Sequence, residues 1–140
     1  MSQNGTPGVV IGTTNRDEGS YLGYVGKASD GMVDVQLISD LHKSEVYTVA
    51  RYLNLPQSIL DAIPTGDMYD GRVDEEVFGA SYDFAELYLS YLCLIDTAKK
   101  IFNDNLSEEG KKQFDFYASH LENLHSYNKH KYVSESLVIQ

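Results

Sequence analysis

Several stretches of the chain carry residue types suited to handling phosphate or a hard cation. The first is Gly12-Thr13-Thr14-Asn15-Arg16-Asp17-Glu18, which follows a short apolar run. Glycine lets a ligand approach the backbone, threonines offer hydroxyls, and Glu18 offers a carboxylate oxygen of the kind magnesium takes. The second, Gly23 to Asp34, sets Lys27 among glycines with Asp30 and Asp34 nearby. Such a loop can cradle phosphate, and its acids can hold ribose hydroxyls or a metal. It matches neither G-x-x-x-x-G-K-[ST] nor G-x-G-x-x-G. The third, Asp40-Leu41-His42-Lys43-Ser44-Glu45-Val46, opens a helix. A helix N-terminus attracts anions, and Lys43 adds a point charge for a phosphate oxygen. The fourth runs from Pro64-Thr65-Gly66-Asp67 through Asp70 to Asp74-Glu75-Glu76. Its acids could hold metal, or Asp74 caps a short helix whose dipole Glu75 and Glu76 favour. The last is the basic cluster Lys129-His130-Lys131, which also suits a helix C-terminus with no ligand at all. On residues alone, a solvated turn or an exposed helix end satisfies each stretch equally. His42, His120, His125, His130 and Cys93 have no metal-site spacing, and no GxSxG or HExxH string is present.

The elements that must position these residues are mostly helices. Gly8-Val9-Val10-Ile11-Gly12 reads as a buried strand of a parallel sheet. Thr13 to Asp34 reads as a long functional loop. Val33, Val35 and Leu37 alternate with polar residues, a weak strand signal. Val46, Val49, Ala50 and Leu53 recur at helical spacing, with Asp40 as N-cap. Pro56 ends that helix, and a shorter one follows over residues 56–63. Residues 64–79 read as loop. Ser81 caps a helix that carries Phe84, Leu87, Tyr88, Tyr91 and Leu94 on one face. Another covers residues 96–103, ending near Asn105. Ser107 with Glu108 and Glu109 starts the last, carrying Phe114, Tyr117, Leu121 and Leu124. A strand at the very start with almost only helix and loop after it lacks sheet neighbours. They are either absent or supplied by another chain.

Bulk properties bound the function. The chain has 140 residues, 42% hydrophobic and 23% charged, an ordinary globular composition. Its net charge of −10 disfavours nucleic acid and anionic membranes as partners. The single cysteine excludes an intrachain disulfide. The start has no basic or apolar region of a signal peptide. The most apolar run, Leu87 to Ile95, falls well short of the roughly 20 residues that cross a bilayer. A soluble cytoplasmic protein is expected.

The string GTTNRDEGSYLGYVGKASDGMVDVQLISDLHKSEVYTVARYLNLP, continuing through IPTGDMYDGRVDEEVFGASYDF, resembles the NAD synthase family. SYNKHKY resembles that family's C-terminal basic segment. The resemblance covers most of this chain and about half of a synthase domain. It implies the C-terminal part of an adenine-nucleotide α-hydrolase-like, Rossmann-like α/β sandwich, helix-rich with few strands. Residues 8–79 would supply the strand and the substrate and ATP loops, and residues 81–131 the C-terminal helices. The implied chemistry is ATP-dependent amidation of deamido-NAD to NAD through an adenylated carboxyl, with Mg2+. The resemblance puts Thr13, Lys43 and Thr65 on ATP and Glu18 on magnesium. It puts Lys27, Asp34, His130 and Lys131 on deamido-NAD, and Asp30 in the catalytic loop. The family's pyrophosphate loop, SGGxDS, does not occur here. The chain is therefore expected to need an N-terminal half for catalysis, with a non-catalytic nucleotide-binding or dimerisation module as the alternative. A homodimer is the other expected assembly.

Overall fold

In the computed structural model, which describes residues 8–66 and 71–132, the sheet is very small. Strand β1, Ile11–Gly12, pairs in parallel with β2, Val35–Gln36, in the register Ile11 to Val35. Asp34 locks this pairing from outside: its Oδ2 accepts from the Val10 N–H at 2.8 Å. The alternation around Val35 therefore does mark a strand, and this strand gives β1 a neighbour within the chain. The expectation of a buried strand is corrected. Val9, Val10 and Ile11 are 66%, 53% and 56% exposed, because one short neighbour leaves the faces of a two-stranded ribbon uncovered.

The expected loop over residues 13–34 is corrected as well. Asp17–Leu22 forms a π-helix closed by Gly23 in the left-handed region at φ 60°. Asn15 Oδ1 accepts from the Glu18 N–H at 3.0 Å and starts it. A side chain capping its own backbone competes with any extended course here.

Helix α1 spans Lys43–Tyr52, with His42 rather than Asp40 at its N-cap. The Glu45 carboxylate reaches back to the His42 N–H at 2.8 Å, which fixes the start two residues later than expected. Helix α2, Gln57–Leu60, begins directly after Pro56. Helix α3, Asp74–Phe78, lies within the stretch expected as loop. Asp74 is its first residue and Val73 its N-cap, with Glu76 accepting from the Val73 N–H at 3.2 Å. Helix α4, Tyr82–Leu92, is capped by Ser81, whose side chain accepts from the Phe84 N–H. Helix α5 spans Asp96–Asn105 and α6 spans Glu108–Asn128, the latter capped by Ser107 as expected. A 3₁₀ turn, Lys129–Tyr132, follows.

The core lies between the π-helix, α3, α4 and α6, away from the sheet. Leu22, Phe78, Tyr82, Ala85, Tyr88, Phe114, Ala118 and Leu121 are all buried. Phe84, Tyr88, Tyr91, Phe102 and Phe114 stack edge-on and tilted around one another, a mostly aromatic α4–α5–α6 junction. Leu87 and Leu94 were expected on this face and are exposed instead; Tyr82 and Ala85 take the inner positions of α4. No helix among the described residues is long and apolar enough to cross a membrane.

The C-terminal end of α6 and the 3₁₀ turn grip the end of the π-helix. Three successive carbonyls, of Tyr21, Leu22 and Gly23, each receive a side-chain donor from that segment. His125 Nδ1–H donates to Tyr21 at 2.7 Å, Asn128 Nδ2–H to Leu22 at 2.8 Å, and Lys131 Nζ to Gly23 at 2.8 Å. The Tyr132 hydroxyl donates to the Tyr21 carbonyl as well. The His125 ring also stacks on that of Tyr21, with centroids 4.3 Å apart.

Candidate functional site

A cavity of about 460 Å3 opens where the loop after β1, the start of α1, the Pro64–Gly66 segment and the C-terminal turn meet. Thr13, Glu18, Asp30, Lys43, Thr65 and Lys131 line it. Six of the nine residues singled out from the sequence thus converge from five separate segments. Such a size suits a drug-sized or nucleotide-sized ligand. The other three lie elsewhere. Asp34 is committed to β1, Lys27 Nζ reaches the His130 carbonyl at 3.5 Å, and His130 is exposed with its ring on the Tyr127 carbonyl at 3.2 Å. Asp67 and Asp70 fall outside the described residues.

The cavity is lined by charges of both signs, Lys43 and Lys131 with Glu18, Asp30 and Asp74. Lys43 Nζ pairs with Glu18 Oε1 at 3.2 Å, both side chains partly buried. Glu18 Oε1 also accepts from the Tyr82 hydroxyl at 2.7 Å, and Glu18 Oε2 takes only a long contact of 3.4 Å from the Asn15 N–H. The Lys43 ammonium sits over the Tyr82 ring, 4.8 Å from its centroid. Asp74 is 4% exposed and lines the same cavity. Its Oδ2 is 2.8 Å from the Tyr82 hydroxyl, while its Oδ1 is buried with no hydrogen-bond partner among the described residues. Burial pushes the Tyr82 phenol far above its ordinary range, and the charges of Glu18 and Asp74 add to it, so the hydroxyl stays protonated. Burial also raises Tyr24, followed by the Asp74 charge. Tyr24 is close enough to Asp74 to be coupled to it, although no hydrogen bond of normal geometry joins them. Gly66 is required beside it, since a Cβ there would overlap the Tyr24 hydroxyl.

The N-terminus of α1 is not open to a phosphate. Its first amide, Lys43 N–H, donates to Asp17 Oδ2 at 2.8 Å, and Ser44 N–H donates to Glu86 Oε1 at 2.8 Å. The helix end has attracted anions as expected, and they are the chain's own carboxylates. Asp17 is fully buried, and His42 Nδ1–H donates to its Oδ1 at 2.6 Å. Burial raises the Asp17 pKa, and the bonds from His42 and from the Lys43 N–H work against that rise. Asp17, His42 and Glu86 lie close enough together to resemble a metal cluster. Their oxygens are already engaged with α1, so the group reads as a cap. Only the Lys43 side chain is left for a ligand at this end.

A hard dication finds the oxygens it prefers in this cavity. Glu18 Oε2 takes only one long contact, and Thr13 and Thr65 share the wall, the Thr65 hydroxyl donating to the Arg72 carbonyl at 3.3 Å. The donor set fits magnesium in kind.

The model of the NAD synthase family matches residues 2–134. The chain belongs to the NAD synthase family. Among relatives, the NH(3)-dependent NAD(+) synthetase of Thermoplasma volcanium is 42% identical over 83 residues, covering 59% of this chain and 34% of that protein. The enzyme of the same name from Pyrococcus furiosus is 34% identical over 125 residues, covering 88% of this chain and 46% of its own length. The chain thus spans less than half the length of these NAD synthase relatives. Among solved structures, NMN synthetase from Francisella tularensis superimposes with a TM-score of 0.56 at 27% identity, covering 84% of this chain and 44% of that one. The NH3-dependent NAD synthetase of Campylobacter jejuni gives 0.57 at 23% identity, covering 94% and 45%, and supports the fold. The helix-rich architecture with two parallel strands is that of the C-terminal part of an NAD synthase α/β fold.

Sequence reasoning missed Tyr82, Tyr24 and the site role of Asp74. Tyr82 follows a helix cap and reads as a core aromatic, and nothing in its neighbours signals a hydroxyl shared between two acids. Asp74 was weighed only as a helix start or one member of an acidic run.

Proposed function

We propose that this chain supplies the nucleotide-facing part of an NAD synthetase, which amidates deamido-NAD with ATP and ammonia. The observation that carries this reading is the gathering of Thr13, Glu18, Lys43, Thr65 and Lys131 around one cavity. In the reaction, the nicotinate carboxylate attacks the α-phosphorus of ATP and pyrophosphate leaves. Ammonia then attacks the adenylated carboxyl carbon, the new C–N bond forms, and AMP leaves with the former carboxylate oxygen. Lys43 would offer an ammonium group to the phosphate oxygens of ATP, neutralising the charge that builds on them. Thr13 and Thr65 offer hydroxyls that orient the phosphate chain. Glu18 would hold magnesium, which supplies charge neutralisation on the triphosphate when bound. Asp30, on the cavity wall, is assigned to the catalytic turn. Lys27, Asp34, His130 and Lys131 are assigned to deamido-NAD itself; of these Lys131 lines the cavity, and Lys27 Nζ reaches the His130 carbonyl at 3.5 Å.

The names of the relatives support ammonia as the nitrogen donor. The SGGxDS string is absent from the 140 residues of this sequence, so the N-terminal half of a synthetase that carries it is proposed as partner, in an assembly that can also contain two copies of this chain. The test is NAD formation from deamido-NAD, magnesium-ATP and ammonium, with and without that partner. Turnover with the partner supports the reading, and turnover by the chain alone removes the need for the partner. Binding of magnesium-ATP without turnover in a folded complex establishes a non-catalytic nucleotide module instead. No binding and no turnover overturns the proposal. Nicotinic acid mononucleotide belongs in the same assay, because one structural neighbour is an NMN synthetase.

A further inference from the structure

Tyr82 touches three charged groups with a single side chain. Its hydroxyl meets Glu18 Oε1 at 2.7 Å and Asp74 Oδ2 at 2.8 Å, and its ring face lies under the Lys43 ammonium at 4.8 Å. Two of those groups, Glu18 and Lys43, are the candidate cation and phosphate ligands. The third, Asp74, has been given no task. Yet Asp74 is 4% exposed, and a buried carboxylate is costly unless well partnered. Its Oδ1 has no hydrogen-bond partner among the described residues, and the N-cap of α3 is Val73, so capping does not explain why an acid stands there.

We infer that Asp74 is a positioning residue: it holds the Tyr82 hydroxyl, and through Tyr82 it fixes the Glu18 carboxylate and the Lys43 ammonium relative to each other. The frame around the pair is stiff. Tyr82 is 5% exposed, in contact with Phe78 edge-on at 5.2 Å. Its own N–H donates to Glu75 Oε1 at 2.9 Å, which pins the start of α4 to α3. Gly79, with φ 69°, makes the turn between the two helices. Asp74 and Tyr82 therefore sit on the two arms of one rigid corner, and the corner reaches into the cavity through the tyrosine hydroxyl. The hydroxyl has one hydrogen, which the two carboxylates share; without an acceptor at Asp74 Oδ2 it turns to Glu18 alone. It can then follow Glu18, and the spacing between Glu18 and Lys43 is no longer set from behind. The roles of Glu18 and Lys43 toward ligands rest on the proposed function; the mechanical coupling does not.

The test uses the full chain and three variants, Asp74→Leu, Asp74→Asn and Tyr82→Phe, each checked for fold by amide NMR. Lys43 reactivity toward acetic anhydride is measured in the absence of ligand, with peptide mapping by mass spectrometry. Asp74→Leu and Tyr82→Phe are expected to raise Lys43 labelling by about threefold or more, while Asp74→Asn, whose amide oxygen still accepts from Tyr82, stays near wild type. Magnesium-ATP binding is then followed by calorimetry. A loss of about tenfold in affinity is expected for the first two variants, the size of one charge-assisted hydrogen bond. Folded variants with wild-type Lys43 labelling would overturn the inference, even if they were less stable, because a merely structural role predicts that. Failure of the wild-type chain to bind magnesium-ATP would count against the proposed function alone, since the labelling arm still decides the coupling. If Asp74→Leu does not fold, Tyr82→Phe, which keeps the ring, decides it.

Discussion

The side chain of Asn128, 5% exposed near the end of the chain, donates to the backbone carbonyl of Leu22 at 2.8 Å, closing the π-helix that carries Glu18. Leu22 is itself fully buried. Asn128→Ala leaves this carbonyl without its donor in a dry place, at a cost of about 1–3 kcal/mol. Urea unfolding should show that loss with an unchanged slope, and a drop below about 0.5 kcal/mol would mean that water replaces the amide.

Gly23 stands directly against Asn128. Its φ is +60°, and a Cβ there would lie 2.5 Å from Asn128 Cβ. Gly23→Ala combines a left-handed backbone cost of about 1 kcal/mol with a steric clash, so thermal denaturation should show a loss of about 2 kcal/mol or more. Asn128→Ala keeps the obstructing atom and should not rescue it.

Asp17 joins the π-helix to α1 through His42 and the Lys43 amide. Asp17→Ala strands the amide and His42 Nδ1 together in a part-buried place. A destabilisation of about 2–4 kcal/mol is expected by chemical denaturation. Asp17→Asn keeps an acceptor for the amide and should cost less.

Lys43→Ala removes the ammonium group that the start of α1 presents to the cavity. If the cavity takes phosphate, magnesium-ATP binding should weaken by about 1.5–3 kcal/mol in calorimetry. An unchanged affinity would mean that Lys43 holds no phosphate. Lys43→Arg should recover part of the loss in charge and little of the geometry.

Alkali should loosen the C-terminal grip. Burial pushes the Tyr132 phenol up to about 12, with the nearby Tyr21 adding to it. Between pH 10 and 12 the unfolded chain binds fewer protons at this group than the folded chain, so stability falls as pH rises through that window. Tyr132→Phe should flatten the slope of stability against pH there, and an identical slope would show that Tyr132 does not titrate with unfolding.

How much of this was legible in the sequence differs from element to element. Ser81 and Ser107 announce their helices because a hydroxyl before an acidic first turn satisfies the orphan amides whatever the tertiary setting. The spacing of Phe114, Leu121 and Leu124 finds the inner face of α6 for the same local reason. His42 takes the cap expected at Asp40 because Glu45 and Asp17 act together there, and Asp17 is 25 residues away. The π-helix was missed because its register has no apolar period of its own and is set by Asn15 and by donors from the C-terminal turn. The candidate site was legible as a list of residue types. Its convergence was not, and neither was Tyr82, whose hydroxyl has meaning only beside Glu18 and Asp74.

The grip on the π-helix also has a consequence for biosynthesis. Lys131 and the Gly23 carbonyl are separated by 108 positions in the chain. Lys131 therefore leaves the ribosome long after the carbonyl it binds. Until then the nascent polypeptide carries the carbonyls of Tyr21, Leu22 and Gly23 without their donors. At elongation rates of about 5–20 residues per second, the interval lasts several seconds. During that time those carbonyls depend on water, and the cavity lacks the Lys131 side chain of its wall.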